Sequence, residues 1–165
     1  MLAAAQSEID GYCGRTFEAV ADSTRYMDAR LDVDGRTLYL PDECCAITTV
    51  TNGDATVLTS SDYVTQPRNQ TPYYALHLKA SSDVAWTWDT TPENAISVLG
   101  RWAYSLTAPA DVAHACRRLA AYMYRQKDSQ VFDVTASPDI GQITIPQGIP
   151  ADVKQLLDRR YVRLA

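Results

Sequence analysis

Along the first dozen residues the apolar positions Leu2, Ala5, Ile9 and Tyr12 fall on one stripe, which predicts a short helix. Gly11 and Gly14 punctuate its end. From about Thr24 to Trp102 the period becomes two. Met27, Ala29, Leu31 and Val33 alternate with polar partners, and Asp34-Gly35 offers a tight turn before Leu38 and Leu40. The run Ile47 to Val50 meets Asn52-Gly53, a type I′ hairpin signal, ahead of Val57-Leu58. Alternation returns at Tyr74, Leu76, Leu78 and Ala80, at Val84, Trp86 and Trp88, and at Ile96, Val98, Gly100 and Trp102. Six or seven short strands result. Their connections are too short for crossover helices, so the sheet or small sandwich they form is expected to be mostly antiparallel.

The rear third returns to helical spacing. Val112, Cys116, Leu119, Ala120 and Met123 make an apolar stripe, with Arg117, Arg118, Ala121 and Arg125 off it. Pro109 suits the first turn, and Asp111 lies where a carboxylate complements the orphan N–H groups. The same start recurs as Pro150-Ala151-Asp152-Val153, predicting a last helix with Val153, Leu156, Leu157 and Tyr161 on one face. Lys127 to Ile149 reads as a long loop with a brief alternation at Ile143 and Ile145. Loops of that length are usually functional or ordered by a partner. The expected class is α+β: a small helical core with an inserted antiparallel β region. Its expected parts form a single domain: 1–23 helix and turn, 24–104 β-rich, 107–128 core helix, 129–149 extended loop, 150–165 C-terminal helix.

Composition narrows the function. A chain of 165 residues, 46% apolar and 21% charged, is the size of one compact domain. Residues 1–100 carry fourteen acids and six bases, a net of −8, whereas 101–165 carry six acids and nine bases, a net of +3. The total of −5 disfavours a sequence-nonspecific DNA clamp, which needs a basic surplus. No apolar run reaches the ~18 residues of a membrane helix, and Met1 to Gln6 has no basic, apolar leader pattern, so a cytoplasmic site of synthesis is expected. Cys13, Cys44, Cys45 and Cys116 lack zinc or redox spacing, and His77 and His114 lack a metal-binding interval. Asp32-Val33-Asp34-Gly35 starts like a calcium loop, but no closing Glu follows, so it reads as a turn. No phosphate cradle or nucleophile elbow occurs. Hence no catalytic residue, cofactor or metal is expected. Trp86, Trp88 and Trp102 could form a glycan-binding platform, though Trp86 and Trp88 alternating into one core is the simpler reading. The basic cluster of Arg117, Arg118, Arg125, Lys127, Arg159, Arg160 and Arg163 reads first as solvated helix faces.

Three stretches, taken in order, resemble a known family. Ala5-Gln6-Ser7-Glu8-Ile9-Asp10-Gly11-Tyr12-Cys13-Gly14-Arg15-Thr16-Phe17 is similar to a segment near the start of siphophage head-tail connector proteins, the adaptor or head-completion family. Gly100-Arg101-Trp102-Ala103-Tyr104, followed by Pro109-Ala110-Asp111-Val112, resembles the G-x-W-G-Y and P-x-x-V motifs that precede its core helix. Pro150 to Leu157 and Tyr161 resemble its closing helix. Ala103 stands where the family has a second glycine. The family also carries a further helix before the first segment, whereas Met1 here lies eight residues before Ile9.

The resemblance implies a structural virion protein rather than an enzyme. It would form an oligomeric ring, a dodecamer, between the portal and the neck or tail proteins at the head-tail interface. DNA would pass through the channel without specific binding. Neck stopper or tail-completion protein is the alternative within that context. The implied portal or subunit interface is Ile143, Ile145, Leu156, Leu157, Arg159, Arg160, Tyr161, Arg163 and Leu164. The hairpin tips Asp34, Gly35, Asn52 and Gly53 are the expected inter-ring contacts.

Overall fold

A computed structural model describes residues 1–129, 134–137, 141–144, 148–159 and 161–162, with 127–129, 134–137 and 141–144 described by their backbone. The chain order is α1 (Leu2–Cys13), β1 (Ser23–Met27), β2 (Val33–Asp34), β3 (Thr37–Cys44), β4 (Ala46–Thr51), β5 (Val57–Leu58), β6 (Tyr63–Gln66), β7 (Tyr73–Leu78), β8 (Ile96–Arg101), α2 (Ala110–Ser129), β9 (Val134–Ser137), β10 (Gly141–Thr144) and α3 (Ala151–Asp158). The fold is α+β, as expected. It divides into two compact units, one of residues 1–15 and 109–165, the other of residues 16–108.

The β unit holds two four-stranded sheets, ordered β1-β8-β4-β5 and β2-β3-β7-β6, with every strand pair antiparallel. Their inner faces share one core. Met27, Val50, Leu58, Ile96 and Val98 come from the first sheet, and Leu38, Cys44, Leu76 and Leu78 from the second. Along β8 the pleat turns Ile96, Val98 and Gly100 inward and leaves Ser97, Leu99 and Arg101 half-buried, the period-two pattern read from sequence. Trp86 and Trp102 also enter this core. Their indole N–H groups are satisfied by Arg36 O at 3.1 Å and Ser23 O at 2.7 Å.

Local hydrogen bonding corrects three expectations here. The alternation Met27 to Val33 is not one strand. The Asp28 carboxylate accepts the N–H groups of Arg30 (2.6 Å) and Leu31 (2.9 Å), and that Asx turn ends β1 and throws Leu31 out to 81% exposure. Asn52-Gly53 is not a two-residue hairpin, since β4 and β5 are joined by five residues with Ala55, not Gly53, at positive φ. Residues 84–88 are not a ladder strand. The Asn52 side chain holds them instead: Nδ2 donates to Ala85 O at 2.9 Å, and Oδ1 accepts from Thr87 N at 3.2 Å. Gly53 bridges to Trp88 in the same place, and a Cβ on Gly53 would strike the Thr87 carbonyl oxygen. Close backbone approach therefore explains this glycine. Trp86 is buried, but Trp88 remains 43% exposed, so only one of the pair joins the core.

In the helical unit α2 packs against both α1 and α3. Gly14 closes α1 in the left-handed region at φ 65°. Ala5 and Ile9 are buried as the spacing predicts, but Cys13 completes the buried stripe while Leu2 is exposed and Tyr12 half-buried, and Gly11 lies inside the helix. On α2 the buried residues are Val112, Ala115, Leu119 and Ala120, with Cys116 and Met123 half-buried at the stripe's edge. The region expected to be an extended loop contains the antiparallel pair β9 and β10, in which Val134 faces Thr144 and Ser137 faces Gly141. The C-terminal helix ends at Asp158, several residues before the expected end.

Candidate assembly surfaces

One side of α2 is spent on the core and the other faces solvent. His114, Arg117, Arg118, Ala121, Tyr124 and Arg125 are all exposed and recur at helical spacing. Arg118 reaches across to the Asp152 carboxylate in the first turn of α3 and forms an ion pair there. Beside that pair lies a groove of about 310 Å³, lined by Arg118, Ala121, Tyr122, Arg125, Pro150, Asp152 and Val153. Its lining mixes apolar side chains with two guanidinium groups and one carboxylate.

Two tyrosine–carboxylate bonds tie the last helix down. Tyr12 Oη donates to Asp158 Oδ1 at 2.6 Å, and this bond to a carboxylate raises the phenol pKa above its ordinary value. The Lys154 ammonium lies 5.7 Å from the centre of the Tyr12 ring. Tyr161 Oη donates to both Asp111 oxygens at 2.8 and 2.9 Å. Asp111 thus does more than complement the α2 dipole, as it also receives the end of the chain.

These contacts redistribute the expected portal or subunit interface. Leu157 and Tyr161 are 0% and 4% exposed, because both are used within the chain's own helical unit. Leu156 is half-buried and Arg159 exposed, so these two remain accessible. Ile143 sits in β10. Ile145, Arg160, Arg163 and Leu164 lie outside the described residues.

In the β unit the two expected loop tips differ. Asp34 pairs with Thr37 across a two-residue turn, Gly35-Arg36, and Asp34 and Gly35 are exposed at its end. Exposed Leu31 and Tyr39 lie nearby, connected through the Tyr39 N–H bond to Asp32 O at 2.8 Å. Asn52, by contrast, is 2% exposed and Gly53 is half-buried. Neither is a free tip, because the Asn52 amide is turned inward to hold residues 85–87. A cavity of about 560 Å³ opens beside β6, with Ile47, Tyr63, Tyr73, Arg68 and Lys79 in its lining. The Lys79 ammonium there donates to Ser60 O at 2.7 Å. No tryptophan platform exists on this unit, since Trp86 and Trp102 are buried.

Among the described residues no group of three or more His, Cys, Asp or Glu could hold a metal ion, and no helix is long and apolar enough to cross a membrane. His114 is exposed, and His77 Nδ1 lies 2.9 Å from Thr37 Oγ1. The four cysteines are free. Burial pushes the Cys13 thiol up to about 11 and the Cys44 thiol to about 12, so both remain protonated near neutrality and poor nucleophiles. Sequence reasoning missed the groove and both tyrosine clamps. The spacing of Arg118, Ala121 and Arg125 marked one wall of the groove. The clamps join residues 146 and 50 positions apart, a separation no local period encodes.

No family model matches the sequence, and no curated protein matches it. Solved structures do match over nearly the whole chain. A chain in the neck of the empty gene transfer agent (GTA) particle, computed with C6 symmetry, superposes with a TM-score of 0.54 at 18% identity, covering 99% of this chain and 77% of that one. A chain in the neck of the native GTA particle, computed with C12 symmetry, gives 0.53 at 17% identity, covering 99% and 81%. A chain in the virion of the native particle gives 0.53 at 18%, covering 99% and 76%. The chain shares the fold of these proteins.

Proposed function

We propose that this chain is a structural neck protein of a tailed particle, made in the host cytoplasm and built into the head-tail interface. Copies join in a closed ring, a dodecamer, that sits between the portal and the neck or tail proteins and continues the DNA channel. The observation that carries this reading is the fold shared over 99% of the chain with chains of the GTA neck and virion. The family resemblance in the Ile9 to Phe17, Gly100 to Val112 and Pro150 to Tyr161 segments supports it independently. So does the charge. At −5, the chain favours passage of a polyanion over its capture. Of the expected interface residues in the last helix, Leu156 and Arg159 are those left accessible to the portal or to a neighbouring copy.

The role has a direct phenotype. Particles assembled without this chain are expected to package DNA into heads that bear no tails, and supplying the chain in trans restores tailed particles. Normal tailed particles in its absence, counted by electron microscopy, would overturn the reading.

A further inference from the structure

The groove between α2 and α3 and the tip of the β2–β3 hairpin match in charge and polarity, and we propose that they meet between copies of this chain. The Asp34-Gly35 turn of one copy seats in the groove of the next. This rests on the ring reading above and names the surfaces that close the ring.

The groove's lining combines apolar Ala121, Pro150 and Val153 with two arginines, Arg118 and Arg125, and one carboxylate, Asp152. Of the two arginines, Arg118 is already held by Asp152. Arg125 is exposed, and among the described residues no carboxylate pairs with it. The hairpin tip offers the complement. It is the β2–β3 corner of the four-stranded sheet, closed by two residues, with Arg36 held back by the carbonyls of Leu78, Lys79 and Ser82 and nothing within 4 Å of the space beside Gly35. Asp34 is exposed, and among the described residues its carboxylate has no cation partner. Leu31, 81% exposed, and Tyr39, 47% exposed, provide apolar surface next to it.

The two surfaces belong to units of unlike charge. Residues 16–108 hold twelve acids and six bases, a net of −6, while residues 1–15 and 109–165 hold eight acids and nine bases, a net of +1. Like units of two copies would gain nothing electrostatically from facing each other, whereas unlike units attract. A contact of this kind is heterologous, each copy giving a hairpin and receiving one. That contact generates a ring when its rotation closes. Duplex DNA is the other polyanion the two arginines could meet. With Arg118 neutralised and the chain at −5, the second copy is the better match.

The test uses the full chain with its portal protein, comparing wild type with Arg125→Glu, Asp34→Arg and the two combined, by sedimentation velocity. Both residues are exposed, and far-UV circular dichroism checks that each variant is folded; Arg125→Gln and Asp34→Asn serve as milder versions. Each single reversal is expected to weaken self-association at least tenfold, and the double reversal to recover most of it. If wild type assembles and both single reversals assemble equally well, or the double reversal recovers nothing, this contact is wrong while the ring stands. If wild type assembles neither alone nor with the portal, the ring reading itself fails. Binding of a DNA duplex that Arg125→Glu abolishes while assembly is untouched would reassign the groove to nucleic acid and overturn the proposal.

Discussion

Replacing Leu157 by alanine is expected to lower the stability of the helical unit by about 3 kcal/mol, within the range for large-to-small core substitutions. Leu157 is 0% exposed in α3, a helix of only eight residues. So short a helix has little stability of its own in water and depends on its buried face. Val153 and Tyr161 complete that face at 1% and 4% exposure, and the Tyr12–Asp158 and Tyr161–Asp111 bonds hold its C-terminal end. Urea unfolding followed at 222 nm should show the midpoint moving down by on the order of 1–2 M. Arg159→Ala, at an exposed position, should stay within about 0.5 kcal/mol of wild type. Equal midpoints for Leu157→Ala and wild type would show that α3 does not hold this unit together. For the same reason, removing the chain beyond Gly148 is expected to strip buried Ile149, Val153, Leu157 and Tyr161 from the unit, rather than only a docking tail.

The second large effect lies in the β unit. Asn52→Ala is expected to cost about 2–3 kcal/mol, since it removes one donor and one acceptor at a position 2% exposed and leaves the Thr87 N–H without its partner. The consequence is also spatial. Residues 84–88 belong to no sheet ladder, so the Asn52 amide and the Gly53–Trp88 bridge, with the indole N–H bond to Arg36 O, seat Trp86 in the core. All three tryptophans lie in this unit, so the loss should appear as red-shifted emission together with an earlier unfolding transition. Asn52→Asp retains the oxygen that accepts from Thr87 but replaces the Nδ2 donor, so it should fall between alanine and wild type. An Asn52→Ala protein with unchanged emission and midpoint would show that the segment is held by other means.

What the sequence made legible was periodic. The stripe of α2, Ala5 and Ile9 of α1, Leu76 and Leu78 of β7 and the inward row of β8 were readable because core residues recur at 3.6 or 2 along the chain, whereas Leu2, Tyr74 and Ala80, read on the same rows, are exposed. The helix start at Pro150 was readable from its repeat of Pro109. What misled was punctuation whose meaning depends on distant partners. Asn52-Gly53 carries a hairpin signal, yet the asparagine bonds to residues 85 and 87, and the glycine is required by the Thr87 carbonyl oxygen. Val84, Trp86 and Trp88 alternate as a strand would, but no neighbouring strand is available to them. The burial of Leu157 and Tyr161 within the helical unit was not legible, because apolar residues late in a sequence do not announce which surface they cover. The groove beside α2 was half legible. Its arginines stood out, while Pro150 and Val153 opposite them come from a helix set against α2 by tertiary packing alone.

The central claim, a ring-forming neck protein, is tested most directly by native mass spectrometry of the full chain, alone and mixed with its portal protein. The expected result is a closed assembly of fixed stoichiometry, a dodecamer alone or twelve copies seated on the portal. A monomer at every concentration that ignores the portal would contradict it.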